Sequence, residues 1–402
     1  MILSEIHIIK LQNKYYDDLD NLCLLSKNLY NVGLYNVRQH YFDEKKYLNY
    51  NDINKNFVEN NQVDYRNLPA KVSQQTLKLL DKNFISFFKL LKKKDYNKQK
   101  NIPKYLPKNG RNIIIYTKQA ISKKRLKDGY IKLSGTDVEL NTKTNYKNIQ
   151  QVRVIHKGNH IKIEVLYKVQ EKKLKENNDR YCSIDLGLNN LCLVGSNVIK
   201  PIIINGKPLK SINQFYNKKV SNLKSILETV NKIKTSKRIK STTLKRNNKI
   251  SDYLHKSSKI IINHLVSNHI NTLIIGKNDG WKQEINIGKK NNQNFVQVPF
   301  NNLIHMLKYK CELEGIKFID REESYTSKAS FLDNDIIPTF NKSIPSPKFS
   351  GKRIKRGLYK TKENKIINAD LNGALNILRK EIGKFQYPIE VCSTPLVYSI
   401  NY

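Results

Sequence analysis

The sequence predicts an α/β multidomain protein, and three changes of periodicity predict it. Apolar residues recur at helical spacing through the first quarter, at a period of two between residues 112 and 169, and in alternating strand and helix segments after residue 181. The chain has 402 residues, enough for two or three domains with sizeable cores.

Residues 1–12 alternate as a strand, with Ile2, Leu3, Ile6 and Ile8 at apolar positions. From Leu19 to about Tyr41 the period becomes helical, and Leu22, Leu25, Leu29 and Val32 share one face. A second helix runs from about Val72 to Leu91. There Leu77, Leu80, Phe84, Phe87, Phe88 and Leu91 form the apolar stripe, while Lys71, Gln74, Gln75, Lys78, Lys82 and Lys89 occupy other faces. The Pro- and Gly-punctuated basic stretch KKKDYNKQKNIPKYLPKNGRN marks a boundary. Strands follow at 112–117, 130–135 and 151–169, the last a hairpin that turns at Lys157-Gly158-Asn159. Their density predicts a small antiparallel barrel that the first strand joins, with the helical module as an insertion. The charged segment QEKKLKENNDR then precedes YCSIDLGLNNLCLV (181–194). A strand and hairpin lead into a long basic helix over about Ile212 to Asn268, expected to break near Ser236 to Thr243 where Ser and Thr cluster. A strand at 271–276, a helix at 300–315 and a strand at 316–324 complete an α/β pattern.

Lysine and arginine number 73 against 34 acidic residues, a formal net charge of +39. Self-repulsion on that scale calls for a large polyanion, and nucleic acid gains affinity with every phosphate contact. An anionic membrane surface is the competitor, but no stretch approaches the ~20 apolar residues of a spanning helix. The N-terminus MILSEIHIIKLQNKYY has no basic n-region, long apolar core or small-residue cleavage site, so the expected location is cytoplasmic. Cys23, Cys182, Cys192, Cys311 and Cys392 form no C-x-x-C, which predicts neither a disulfide framework nor a zinc knuckle. They read as small core residues.

One carboxylate interrupts the apolar pattern at 181–194. Asp185 lies between Ile184 and Leu186, with Gly187 two positions on. It reads either as a turn former or as a metal ligand on a central strand. In IINADLNGALNILRK (366–380), Asp370 stands at or near a helix start, either as its cap or as a second ligand, with Asn372 and Asn376 four apart on one face. In DREESYTSKASFL (320–332), Glu322 and Glu323 close an apolar strand before a Thr326-Ser327-Lys328 turn. Carboxylates that converge from different elements hold the paired Mg²⁺ ions that hydrolyse phosphodiesters.

The segments SIDLGLNNLCLV, INGKPLKSINQFYNKK, GWKQEINIGKKNNQNFVQVPF, YKCELEGIKF, EESYTSKASFLD and NADLNGALNIL occur in this order, preceded by LPAKVSQQTLKLLDKNFISFF (68–88). Together they resemble TnpB, the transposon-encoded relatives of type V CRISPR effectors and eukaryotic Fanzor proteins, across essentially the whole chain. The resemblance implies a bilobed protein: a wedge-type β-barrel with a helical recognition insertion, plus an RNase H-like (RuvC) α/β nuclease domain. It lays out as wedge strand 1–15, recognition helices 16–95, remaining wedge 96–175, nuclease 176–330 and 368–385, a basic insert 331–367 without zinc ligands, and a tail 386–402.

The resemblance further implies an insertion-sequence-encoded, RNA-guided DNA endonuclease. It would use Mg²⁺, with Mn²⁺ as a possible substitute, and a guide RNA from the transposon end to cut double-stranded target DNA beside a short flanking motif. Base pairing would read the sequence while the protein reads backbone shape. Position by position, Asp185 matches the first RuvC aspartate and Asp370 the last. Many members carry the glutamate at the end of the strand that corresponds to NTLIIG, where this chain has Gly276 and Lys277. Some relatives place it on the next strand, before a TSK turn, which makes Glu323 the ligand and Glu322 the runner-up. Asp279 and Glu284 are left in a polar loop. The family's C-x-x-C pairs are missing from ASFLDND and FSGKRIKRGLYKTKENK, so no zinc is expected and other contacts must hold the insert from about Phe331 to Lys365. Lys352, Arg353, Lys355 and Arg356 within it read as facing nucleic acid. Lys71, Gln74, Gln75 and Lys78 read as the flanking-motif contact, Lys104, Tyr105 and Arg111 as backbone contacts, and Trp281 as a core anchor. The alternative function is an RNA-guided DNA-binding repressor without cleavage activity. The resemblance implies no membrane partner, a nucleoid location when DNA is bound, and a monomer or a homodimer.

Overall fold

The computed structural model describes residues 1–93, 100–145, 148–231, 233–278, 288–340, 347–387 and 395–400, with the side chains of 231, 289–291 and 294 excepted. The chain divides into two compact units, Met1–Gln170 and Glu171–Tyr402.

The first unit begins with β1 (Ile2–Lys10), followed by α1 (Tyr16–Glu44), α2 (Tyr50–Glu59), α3 (Val63–Arg66) and α4 (Ala70–Lys92). Then come β2 (Ile114–Thr117), the short α5 (Lys123–Lys127), β3 (Tyr130–Lys132), β4 (Glu139–Asn141), β5 (Ile149–His156) and β6 (His160–Lys168). β1 pairs antiparallel with β6 from Ile2↔Lys168 to Lys10↔His160, so the first strand joins the sheet closed by the last. The ladders among the described residues form a four-stranded sheet, β1-β6-β5-β2, and a two-stranded ribbon, β3-β4. A barrel was expected, and the observed ladders amount to this sheet and ribbon. The inserted helices share its core: Leu29, Leu34, Leu77 and Leu80 are buried in one cluster with Val152, Ile163 and Val165. α1 and α4 come close enough that a Cβ at Gly33 would stand 3.0 Å from Leu80 and 3.1 Å from Leu77. A buried chain of hydroxyl and amide bonds ties them to β2. Ser26 and Thr76 meet at 3.0 Å, Asn112 Nδ2 donates to Ser26 Oγ, and Ser26 Oγ donates to the Ile113 carbonyl.

The second unit opens with β7 (Tyr181–Leu186), β8 (Asn190–Ser196) and β9 (Ile202–Asn205), then α6 (Lys207–Asn231), α7 (Lys237–Ser267) and β10 (Thr272–Gly276). It continues with α8 (Lys289–Gln297), α9 (Phe300–Glu314), β11 (Lys317–Arg321), β12 (Lys352–Lys355), β13 (Leu358–Lys360), β14 (Ile366–Asn368), α10 (Ala369–Ile382) and β15 (Leu396–Tyr398). The main sheet has the order β11-β10-β7-β8-β9-β15. β10 lies parallel to both β11 and β7, β7-β8-β9 is an antiparallel meander, and β15 adds a parallel edge. Cys182, Ile184 and Leu186 of β7 turn to one face, where they pack with Tyr253, Leu254, Phe300 and Leu303 of α7 and α9. The opposite face receives α10 through Leu193, Ala374 and Leu375, and through Ile274, Ile377 and Leu378. Both faces are therefore covered, which explains the near-continuous apolar runs of β8 and β10.

The long basic helix departs from its expected course. Its break falls before Ser236, which caps α7 through the Ile239 amide. Thr242 and Thr243 lie inside α7, where their hydroxyls donate to the Arg238 and Ile239 carbonyls four residues back. Clustered hydroxyls here were absorbed by the helix and did not break it. Among the described residues no helix is long and apolar enough to cross a membrane. Cys23, Cys182, Cys192 and Cys311 are buried free thiols, and Cys392 lies outside the described residues.

Gly33→Val would force the contact between α1 and α4 apart. It is expected to destabilise the protein by about 1–3 kcal/mol, the usual cost of overpacking, read as a lower denaturation midpoint at unchanged slope.

Candidate active site

The site forms where β7, the turn after β11 and the start of α10 meet. β7 alternates, so Ser183 and Asp185 share the face toward α10. Ser183 Oγ donates to the Ala374 carbonyl at 2.6 Å, which pins the helix to the strand. Small residues permit the approach. A Cβ at Gly195 would stand 3.2 Å from Ala374 Cβ, and one at Gly373 would stand 2.9 Å from Asp185 Oδ2. The Asp185 carboxylate thus lies against the space that Gly373 leaves empty.

Asp370 does not cap α10. That work falls to Asn368, whose side chain accepts from the amides of Asp370 and Leu371 at 2.9 and 3.0 Å. Asp370 is left to other partners. Its Oδ2 accepts from Asn190 Nδ2 at 2.7 Å, and Arg353 Nη2 approaches its Oδ1 at 3.5 Å. Asn372 and Asn376 turn instead to the TSK turn. Asn372 accepts from the Phe331 amide and donates to the Ala329 carbonyl, and Asn376 donates to the carbonyls of Thr326 and Ala329. These wholly buried amides fasten the turn that carries the glutamates onto the helix that carries Asp370.

The two glutamates go different ways. Glu322 is paired with Lys380, whose side chain is only 8% exposed, and also accepts from the Ser324 amide. Burial alone would raise Glu322, but these hydrogen bonds bring its carboxyl below the usual range. Among the described residues no cation pairs with Glu323 in this way. Its carboxyl is pushed up to about 7, first by burial and then by the charge of Glu322, with Lys380 opposing. Its position is telling: a Cβ at Gly276 would lie 2.6 Å from Glu323 Oε2 and 3.2 Å from Glu323 Cβ. The Glu323 side chain fills the space that a side chain at the end of β10 would occupy.

Asp185 is held well above the ordinary carboxylate range, by burial foremost and then by the charges of Glu323 and Asp370, with Arg353 opposing. Asp185 therefore feels both of the other acids. Carboxylate oxygens suit a hard divalent cation in chemistry. Among the described residues, however, no three His, Cys, Asp or Glu side chains converge closely enough to hold a metal ion.

Around this centre, the insert is held by two aspartates that sequence reasoning passed over. Asp335 accepts from the amides of Ser330 and Ser350 and from Ser350 Oγ, and Asp333 accepts from the Lys362 amide and Ser350 Oγ. Tyr359 Oη adds a bond to the Lys328 carbonyl. On β12 and the turn after it, Lys352, Arg353, Lys355 and Arg356 are exposed. Arg353 is thus both a surface cation and a neighbour of Asp370.

In the other unit, Lys71 is exposed at the start of α4, Gln74 and Gln75 are partly buried, and Lys78 Nζ sits 4.8 Å over the Tyr50 ring. Lys104 and Tyr105 are exposed, with the Arg38 guanidinium 4.8 Å over the Tyr105 ring. Arg111 makes a bidentate pair with Asp20, both bonds 2.7 Å, so a first duty of this cation is internal. Asp279, Trp281 and Glu284 lie outside the described residues.

Residues 164–282 match the family model OrfB_IS605, a probable transposase, and residues 300–377 match that of the Cas12f1-like TNB domain. The matches follow one another along the chain and take in Asp185, Glu323 and Asp370. One is a transposase-type model and the other a Cas12f1-like domain model. The two matches support a TnpB-like family for the chain. It is similar to the protein of a Cas12f1–sgRNA–target DNA complex, at 15% identity over 93% of this chain and 98% of that one, with a TM-score of 0.36. A CRISPR-Cas12f ternary complex matches at 14% identity over 90% and 81%, TM-score 0.37. Alicyclobacillus acidoterrestris C2c1 in complex with single-guide RNA matches at 9% identity over 92% and 70%, TM-score 0.35. Scores of this size carry no argument here. No curated protein matches the chain.

The neighbouring glutamates predict opposite signs in a metal-free thermal melt. A carboxyl raised in the folded state weakens folding above its folded pKa and not below its unfolded one. Glu323→Gln should therefore raise Tm by several degrees at pH 8, with the gain fading as pH falls from about 7 toward 4.5. Glu322→Gln should lower Tm at pH 8, because it leaves the buried Lys380 ammonium without its carboxylate. A rise in both variants would contradict the different environments described.

Proposed function

We propose that the protein is an RNA-guided DNA endonuclease in which Asp185, Glu323 and Asp370 hold divalent metal on an RNase H-like sheet. The observation that carries this reading is Asp185 at the end of β7 under the charges of Glu323 and Asp370, with Glu323 in the place of a residue-276 side chain. A divalent cation held there would supply Lewis-acid activation of water and of the leaving oxygen of a phosphodiester.

The chain's own residues do the rest. Gly373 makes room for the Asp185 carboxylate, and Asn190 orients that of Asp370. Lys380 retains Glu322 and so leaves Glu323 as the acid directed to the centre. Arg353 offsets part of the acidic charge before substrate arrives and is positioned to meet a phosphate beside Asp370. The excess of 73 basic over 34 acidic residues suits a guide RNA and target DNA, with Lys71, Gln74, Gln75, Lys78, Lys104 and Tyr105 as candidate contacts in the first unit. The two family matches, to a probable transposase and to a Cas12f1-like domain, support the same class of activity.

The protein co-purified with RNA from its native locus should cut guide-matched duplex DNA at one flanking motif in a randomised library, with Mg²⁺ and not with EDTA. Asp185→Ala, Glu323→Ala and Asp370→Ala should each lower cleavage at least ~100-fold, as expected for loss of a metal ligand or its shell, while Glu322→Ala retains most of it. The double variant Gly276→Glu, Glu323→Gly should recover cleavage lost in Glu323→Ala, since its carboxylate emerges into the same space and displaces only the tip of Ile377. Guide-dependent binding without cuts would replace the nuclease by the repressor, an outcome consistent with three acids that do not converge to ligating distance. Full activity in Glu323→Ala would sink the assignment of this residue.

A further inference from the structure

Away from the acidic centre, α6 and α7 enclose a cleft of about 390 Å³. Small-ligand sites commonly span roughly 300–1,000 Å³. Its walls alternate aromatic rings and cations, and none of the described lining residues is acidic. Tyr216 is fixed at one end, its hydroxyl 3.1 Å from Thr243 Oγ1, and the Arg246 guanidinium lies 5.5 Å over its ring. Arg246 is itself held in place. Nε and Nη2 donate to Asn213 Oδ1 at 2.9 and 2.7 Å, and Nη2 donates to the Gln297 carbonyl at 3.0 Å. Asn213 is fully buried, so this wall is prepared before any ligand arrives.

The neighbouring ring is different. Phe215 is 67% exposed, a large apolar face left in water, with the Lys219 ammonium 5.6 Å over it. Lys245 stands on the same cleft and is exposed. A bare ring beside a fixed ring, rimmed by ammonium groups, presents a stacking surface and phosphate partners together. Proteins that hold unpaired strands combine these features. An apolar protein segment would find the ring but leave the cations unused, so charge complementarity favours a polyanion.

We propose that the α6/α7 cleft is a binding site for an unpaired nucleotide of a single strand, with a base stacked on Phe215 and flanking phosphates met by Lys219 and Lys245. The site deepens the nucleic-acid reading above and rests on it. Guide RNA and displaced DNA both carry this chemistry, and binding assays with each tell them apart.

The test uses the RNA-free full-length protein and mixed-sequence 12-nucleotide single strands, in DNA and RNA forms, each with one 2-aminopurine, beside a blunt duplex. Phe215→Ala should weaken binding of at least one strand type about 5- to 100-fold, the range that one stacked base supplies. The 2-aminopurine quench should be lost while duplex affinity stays within twofold. Phe215→Trp should restore affinity, and Phe215→Leu should not. Lys245→Ala should reduce the salt dependence by about one phosphate contact while keeping the quench. The larger loss, on DNA or on RNA, identifies the strand that occupies the site. Since Phe215 is mostly exposed, Phe215→Ala should melt as the parent does. Unchanged single-strand affinity in Phe215→Ala, an equal loss on duplex, or equal rescue by Leu and Trp would overturn the proposal. Normal guided cleavage with no Phe215 effect removes this site alone. A Phe215 effect without cleavage removes the nuclease reading and leaves the site standing.

Discussion

Close packing of α10 on β7 and β8 is the constraint from which the candidate site follows. Gly195 and Ala374 let helix and sheet touch, Ser183 fastens them by a hydrogen bond to the helix backbone, and Gly373 leaves space at the one point where a carboxylate emerges. A glycine inside a helix costs about 1 kcal/mol relative to alanine, and here a side chain would collide with Asp185 Oδ2. The same helix reaches across to the TSK turn through Asn372 and Asn376. One element thus fixes the spacing of all three acids, and its polar clamps are buried where water cannot substitute for them.

Electrostatics pull against this packing. Asp185 senses Glu323 and Asp370 at the edge of the core, and the cations nearby are unevenly shared. Lys380 is committed to Glu322 and Arg353 leans on Asp370, while Asp185 and Glu323 keep raised carboxyls. Raised carboxyls of this kind cluster at functional sites, where stability is commonly traded for function. The excess of basic residues elsewhere does not discharge the centre, because their ammonium groups are screened by solvent beyond about 10 Å.

Much of this was legible in the sequence. The alternation around Asp185 marked a buried strand with a charge in it, and the ADLNGALNIL segment announced a helix with an acid at its start. The ordered TnpB-like segments directed attention to Glu323, with Glu322 as runner-up, and the two prove to have different surroundings. What escaped were features set by three-dimensional neighbours. Gly276 stands out in the sequence as lacking the usual glutamate, but that Glu323 lies in its vacant side-chain space is seen only in three dimensions. Asn368 rather than Asp370 caps α10 because both residues have capping side chains and only the backbone decides between them. Arg111 looked like a surface cation, but its partner Asp20 is 91 residues away. Ser and Thr near the helix break misled for a related reason: α7 supplies carbonyls for their hydroxyls, and only Ser236 caps. Glycine within the ADLNGALNIL helix was the one available signal for the close approach to Asp185.

The pairing of β1 with β6 sets a timetable for the chain. The opening strand waits with an unpaired edge until residues 160–168 are made. At roughly 5–20 residues per second, synthesis leaves that edge open for about ten seconds or more, while the intervening helices emerge. The strand's exposed positions include Ser4 and charged Lys10, with Ile2 and Ile6 as the apolar exceptions. An open β-edge is a site for mispairing between chains. The helices inserted after it therefore shape the nascent chain as well as the finished unit: by packing on Ile9 and its neighbours early, they can shelter the waiting strand until its partner leaves the ribosome.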